Sequence, residues 1–263
     1  MAFTIDLTDK IVLITGGISG IGLGVSMQFA QAGATVIACA ELTVDDPTVA
    51  SFFSKMEPFH ERTFYYETDV SQEAAILKLA LLLQQEYGRL DILVSNAGQN
   101  VFRGLDDCTL ADWNNNSALN LASHWLLAKT LKPLLMQASP GVIIIMASNH
   151  AYASIPGCFP YNVTKGALLS LVRAMAVEWG PAIRTVGLAP GFIDTPGNQK
   201  WFDSFPNAEQ ERQKTIDRHP VKRLGTAEEI GGWCVFLSST YASFASGTTY
   251  LIDGGRNALM QED

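Results

Sequence analysis

The chain has 263 residues, 48% of them hydrophobic and 17% charged, which suffices for a buried core within one α/β domain spanning residues 1–263. Eighteen Lys and Arg against 26 Asp and Glu leave a net charge of -8 without any basic run, which argues against nucleic acid, an anionic membrane or an acidic carrier protein as partner. Cys39, Cys108, Cys158 and Cys234 are scattered, with no CxxC and no metal-ligand spacing, so reduced thiols, no metal and a cytoplasmic location are expected.

In chain order, the opening MAFTIDLTDK has neither a basic n-region nor an apolar h-region, which argues against secretion. Short β-rich runs follow at 11–15, 35–39, 63–68, 92–95, 142–147, 183–188 and 249–252. Helical patterns lie between them at 21–32, 72–87, 110–138, 160–179 and 227–238. Strands alternating with helices of this length predict βαβ units and a doubly wound parallel sheet of about seven strands in three layers. The strands are continuous apolar runs, as expected when helices cover both faces of a sheet. The longest run, 142–147, is far too short to span a bilayer. Residues 195–221 break the rhythm with a polar stretch containing three prolines and a glycine. It follows a strand at its C-terminal end, where open α/β sheets bind ligands, and is expected to be a lid over the substrate.

IVLITGGISGIG runs from a strand through a glycine-rich turn into a helix, with Gly16, Gly20 and Gly22 spaced G-x-x-x-G-x-G. Glycine lets the backbone turn tightly against a pyrophosphate, and the helix N-terminus supplies free N–H groups and the positive end of its dipole. The strand before and helix after are the context this motif requires. Glu41 lies 19 residues beyond Gly22, near the offset at which an acid meets the adenosine ribose. A carboxylate there accepts from the 2′-hydroxyl and repels a 2′-phosphate, and no Lys or Arg lies between Val12 and Ser54 to hold such a phosphate. The cofactor expected is NAD rather than NADP.

Tyr161 and Lys165 sit four residues apart in YNVTK, on one face of a predicted helix. An ammonium beside a phenol favours the phenolate, so Lys165 is expected to lower the pKa of Tyr161 and make it a proton donor and acceptor. Ser148 ends an apolar strand 13 residues earlier.

Together these segments resemble the short-chain dehydrogenase/reductase family over essentially the whole chain, which implies a Rossmann-type fold. TGGISGIG resembles the family's cofactor loop, implying contacts from Gly16, Ser19, Gly20, Ile21 and Gly22. Asp69 in ETDVS, with Val70 after it, matches the acid that meets the adenine. LVSNAG matches the NNAG motif with Ser95 for its first Asn, keeping Asn96, Ala97 and Gly98. Asn120 in SALNLAS matches the asparagine that holds a proton-relay water. Ser148, Tyr161 and Lys165 match the catalytic residues, with Lys165 also on the nicotinamide ribose. In APGFIDTP, the resemblance implies cofactor contacts from Pro190, Gly191, Ile193 through its backbone, and Thr195 near the phosphates. LIDGG matches the closing strand and turn. Two departures stand out. Val186 occupies the usual place of an Asn, and Ala40 occupies the usual place of the ribose acid, with Glu41 one residue later.

Positions after the NAG motif and the serine give Gln99, Asn100, Asn149 and His150; the suspected lid adds Asn198 and Trp201. An amide-rich set with one aromatic platform suits a sugar, polyol or hydroxy acid better than a steroid or acyl chain. The expected reaction interconverts a secondary alcohol and a ketone, or a sugar hemiacetal and a lactone. The alternatives are an NADPH-dependent 3-oxoacyl-carrier-protein or general carbonyl reductase, and a non-catalytic nucleotide sensor. GALLSLVRAMAVEW is apolar nearly all round, which calls for burial on more than one side. The family resemblance implies pairing through this helix and 110–138, as a dimer or tetramer.

Overall fold

The structure, a computed structural model, describes residues 4–260. Residues 1–3 of the opening segment and 261–263 at the other end lie outside the described residues. Seven strands form one sheet, every pairing parallel: β1 (Ile11–Thr15), β2 (Thr35–Ala40), β3 (Thr63–Glu67), β4 (Ile92–Ser95), β5 (Gly141–Met146), β6 (Ile183–Pro190) and β7 (Thr249–Ile252). Their spatial order is β3-β2-β1-β4-β5-β6-β7. The helices are α1 (Gly20–Gln31), α2 (Pro47–Met56), α3 (Glu73–Glu86), α4 (Leu110–Ser117), α5 (Ser123–Leu135), α6 (Tyr161–Trp179), α7 (Pro196–Asp203), α8 (Ala208–Asp217) and α9 (Ala227–Ser238).

Pleating sends alternate side chains of each strand to opposite faces. Val12, Ile14, Val142 and Ile144 join one core with α1, α2 and α9; Leu13, Ile143 and Ile145 join the other with α3, α5 and α6. Both faces are therefore apolar, which explains the unbroken hydrophobic strands and gives the expected three-layer Rossmann-like α/β fold. Strand order reverses between β1 and β4, and ligands bind open α/β sheets beyond the carboxyl ends of strands at such a point.

Three features differ from the sequence expectation. Helix α2 was absent from it, although Asp46 caps the helix by accepting from Thr48 N at 2.7 Å, Pro47 opens it, and Val49, Phe52 and Met56 are buried. The expected continuous helix over 110–138 is interrupted by a π-helical turn at Ala118–Ala122. Residues 195–221 contain two helices, α7 and α8, capped by Thr195 and Asn207, and Phe192, Trp201, Phe202 and Phe205 stack beneath them. Their outward faces are polar, so little apolar periodicity announced them.

Helix α1 approaches α9 closely because glycines face each other. A Cβ on Gly24 would lie 2.4 Å from the Ala227 carbonyl carbon, and one on Gly231 would lie 2.6 Å from Gly24 O. Gly24→Ala forces two backbones apart and is expected to cost about 1–3 kcal/mol. A thermal melt should show a Tm several degrees lower; an unchanged Tm would mean that the two helices separate freely.

Candidate active site

The carboxyl ends of the strands open into one cavity of about 1230 Å³. Its first wall is the β1–α1 turn. Gly16 and Gly20 take left-handed φ of +63° and +50°, and a Cβ on Gly22 would lie 2.0 Å from Gly16 O. The turn is laced to the β4 exit: Thr15 Oγ1 accepts from both Asn96 N and Ala97 N at 2.9 Å, and Asn96 Nδ2 donates to Thr15 O at 2.8 Å. The Ser19 side chain makes no cap bond to α1, so the first-turn N–H groups of a twelve-residue helix remain available to an anion. Thr195 stands opposite, 3.7 Å from where a Gly20 Cβ would be.

At one end of the cavity Glu41 and Leu42 leave β2, and Asp69 and Val70 leave β3. The Tyr65 phenol donates to Leu42 O and lies 3.1 Å from Ala40 O, which braces the segment carrying Glu41. Asp69 is held in its own turn, accepting from Ser71 N at 2.9 Å.

At the other end, Tyr161 and Lys165 project from the first turns of α6, 8% and 3% exposed. Lys165 Nζ donates to Met146 O at 2.9 Å and lies 5.6 Å from the Tyr161 ring centre. Burial dominates both groups. It pushes the Tyr161 phenol up to about 12, opposed by the Ser148 side chain, and pulls the Lys165 ammonium down to about 7. The expected lowering of Tyr161 by Lys165 is outweighed by burial: the phenol is raised, and a lysine brought down to about 7 carries only about half a charge at neutral pH. The phenol keeps its proton at neutral pH and is poised as an acid.

Ser148, Asn149 and His150 form the turn after β5, with Ser148 Oγ accepting from His150 N at 3.2 Å. Phe102 packs edge-on against both His150 and Tyr161, at 5.8 and 5.6 Å between ring centres. Burial lowers the pKa of His150, leaving it neutral. From the chain's other segments come Gln99, Asn100, Pro190, Gly191, Ile193, Asn198 and Trp201, all lining the cavity. Asn198 Nδ2 donates to Ile193 O at 2.7 Å, tying α7 to the end of β6.

One expected residue stands back. Asn120 is fully buried in the π-helical turn and does not line the cavity. Its Nδ2 donates to Gln99 O at 2.9 Å and Asn116 Oδ1 at 2.8 Å, while its Oδ1 accepts from Gln99 N at 3.0 Å. A Cβ on Gly98 would lie 2.7 Å from Asn120 Oδ1 and 3.4 Å from Lys165 Nζ, so only glycine fits between the asparagine and the lysine. Asn120 thus shapes the Gly98–Gln99 backbone beside Lys165. Ser95, in place of the family's Asn, bonds the buried His124 ring at 2.7 Å. Val186 is buried in the apolar core, where no polar link is required.

Sequence reasoning passed over Phe102, Lys200, Arg218 and Arg256, which also line the cavity. None belongs to a local motif; folding alone brings them to one cavity from four separate segments. Among the described residues no group of three His, Cys, Asp or Glu could hold a metal, and no helix is long and apolar enough to cross a membrane.

Residues 16–257 match the family model adh_short_C2, described as enoyl-(acyl carrier protein) reductase. The chain is 34% identical over 253 residues to dehydrogenase/reductase SDR family member 4 of Sus scrofa, covering 95% of this chain and 88% of that protein. It is 31% identical over 250 residues to a 3-oxoacyl-[acyl-carrier-protein] reductase of Thermotoga maritima, covering 95% and 98%. Among solved structures, the Pseudomonas aeruginosa RhlG/NADP active-site complex superposes with a TM-score of 0.88 at 28% identity, covering 97% and 99%. The chain belongs to the short-chain dehydrogenase/reductase family. It is an oxidoreductase of that family, whose members use NAD or NADP on small-molecule substrates.

Proposed function

We propose that this enzyme oxidises a secondary alcohol of a sugar, polyol or hydroxy acid with NAD, or runs the reverse reduction. The observation that carries the reading is the single cavity joining the glycine turn and Glu41 at one end to Ser148, Tyr161 and Lys165 at the other. The residues fit a dinucleotide: left-handed glycines, a free helix N-terminus, and a lysine beside the tyrosine. Gly16, Ser19, Gly20, Ile21, Gly22 and Thr195 hold the phosphates in this reading; Glu41, Asp69 and Val70 hold the adenosine. Asn96, Ala97, Gly98, Pro190, Gly191 and Ile193 surround the nicotinamide half. When bound, the nicotinamide supplies the two-electron chemistry by exchanging a hydride with the carbinol carbon.

Tyr161 gives a proton to the substrate oxygen in reduction and takes it in oxidation. Ser148 hydrogen-bonds that oxygen and stabilises the phenolate. Lys165 orients the ribose and, in its protonated form, stabilises the phenolate that Tyr161 becomes on giving up its proton; Asn120 is a positioning residue acting through Gly98 and Gln99. Asn100, Asn149, His150, Asn198 and Trp201 contact the substrate, and residues 195–221 cover it. In a test, initial rates of NADH formation are measured across sugars, polyols, hydroxy acids and simple secondary alcohols. Turnover confined to polyhydroxylated or acidic members supports the reading; turnover only with ketones and NADPH replaces it.

The NADPH-dependent 3-oxoacyl or carbonyl reductase is the second reading, favoured by the Thermotoga relative and the NADP-bound neighbour. Glu41 opposes it. Removing a carboxylate that repels a 2′-phosphate, Glu41→Ala should erase a preference for NAD of about 10–100-fold. Equal Kd values for NADH and NADPH in the wild type would sink the assignment of Glu41. Assembly is a further part of the proposal: α5 leaves Trp125 exposed, and α6 leaves Val163 and Val177 exposed. A monomeric mass by light scattering at micromolar concentration would count against a dimer or tetramer.

A further inference from the structure

The substrate end of the cavity carries cations without partners. Arg256 follows β7 on a short turn that two sets of bonds fix. Asp253 accepts from Gly255 N at 2.9 Å and Asn257 N at 2.8 Å, which holds its carboxylate on the turn's backbone, where it acts on Arg256 without a direct ion pair. Asn257 Nδ2 donates to Asn149 O at 3.2 Å, and Asn149 Nδ2 donates to Asn257 Oδ1 at 3.3 Å. The turn bearing Arg256 is thereby stapled to the turn bearing Ser148. Yet the half-buried Arg256 guanidinium makes no hydrogen bond and no ion pair among the described residues, and its Nη1 is enclosed without a partner.

Arg218, at the end of α8, lines the same cavity and is likewise without a side-chain bond. Arg218 lies near enough for its charge to act on Arg256, and the Asp253 carboxylate acts on Arg256 in the opposite sense. Arg256 is half-buried and Arg218 is exposed, so the like charge adds to the cost of drawing Arg256 partly out of water, a cost that an anion between them would relieve. Glu211, an acid on the same cavity wall, pairs with Lys214 at 3.4 Å. The structure thus fixes one arginine on the turn stapled to that of Ser148 and places a second on the wall of the same cavity, an arrangement suited to an anion.

We propose that Arg256 and Arg218 form an anion subsite of the substrate cavity, and that the substrate is a hydroxy or oxo carboxylic acid whose carboxylate seats between them. This rests on the reading of Tyr161 and Ser148 as the groups that meet the reacting oxygen, and it narrows the substrate class left open above. A guanidinium matches a carboxylate with two parallel N–H···O bonds. Glu211 on the same wall disfavours the second negative charge of a phosphate ester.

The test compares aldonates and hydroxyalkanoates with polyols and diols of equal length and with sugar phosphates. Binding to the enzyme–NADH complex is followed by calorimetry, and turnover by NADH formation with NAD⁺. At least one carboxylate should bind ten-fold or more tightly than its neutral counterpart. Arg256→Ala and Arg218→Ala should each raise its KM by about 10–100-fold with a smaller change in kcat and unchanged Kd for NADH. Arg256→Lys should recover part of the loss. Neutral compounds binding as well as the acids would overturn the subsite. So would tightest binding of a sugar phosphate, or arginine variants that weaken neutral and acidic ligands equally. Arginine-dependent binding of acids without turnover of any alcohol would leave the subsite standing and refute the reaction centre instead.

Discussion

Tyr161→Phe is expected to lower turnover by about 10²–10⁴-fold in either direction while leaving NADH binding and Tm within experimental error of the wild type. The ring survives, so its edge-on contacts with Phe102 and His150 survive as well. What disappears is the one hydroxyl that reaches Ser148 and can exchange a proton with a substrate oxygen in this buried corner. Burial holds that phenol up to about 12, which favours the protonated, acidic form over the whole physiological range. Reduction of a ketone therefore meets a tyrosine already in the correct state. Oxidation needs the phenolate, and its rate should climb with pH across the neutral and alkaline range. Stopped-flow single turnovers in both directions separate the chemical step from product release. Near-wild-type rates in Tyr161→Phe would move the proton transfer to another group.

Replacing Lys165 should alter both catalysis and the pH dependence of folding. Lys165 ordinarily titrates near 10.5, and burial brings it down to about 7 in the folded chain. Between those two values the unfolded chain binds a proton that the folded chain has released. Stability therefore rises with pH through this window and is lowest below about pH 7, where folding buries an ammonium. Tyr161 acts in the opposite sense: the folded phenol keeps its proton up to about 12 while the unfolded one loses it near 10, so stability falls with rising pH there. Lys165→Met removes the first limb and keeps the second. Urea unfolding at intervals between about pH 6 and 10 should show a wild-type gain on the order of a few kcal/mol that the variant lacks. Parallel pH profiles in the two proteins would mean that Lys165 is charged and well solvated in the fold. Turnover of the same variant should fall on the order of 10²-fold, because the ammonium that stabilises the Tyr161 phenolate is lost.

Much of this site is local in the chain, and the sequence spelled it out. The glycine turn must sit where a buried strand meets a helix, and G-x-x-x-G-x-G records the close approach of Gly16 and Gly22 directly. Tyr161 and Lys165 share a helix face because four residues make about one turn. Apolar runs on both faces of the central strands announced a parallel sheet under two helical layers. Helices α7 and α8 left weaker traces, because caps and polar side chains form most of their surfaces while an aromatic cluster beneath carries the packing.

Tertiary structure decided what depends on distance in space or on solvent. Asn120 is committed to the Gly98–Gln99 backbone only because the π-helical turn swings it there. The balance of charge between Tyr161 and Lys165 could not be read from their spacing, since proximity and desolvation oppose each other and only burial reveals which prevails. Phe102, Arg218 and Arg256 reach the cavity that holds Tyr161 and His150 from three separate segments of the chain. Sequence order, composition and short spacing carried the fold, the family and the glycine turn. The shape and charge of the substrate end arose only when the strand ends and the 195–221 excursion converged, because side chains far apart in the chain carry no local period or spacing to betray their meeting.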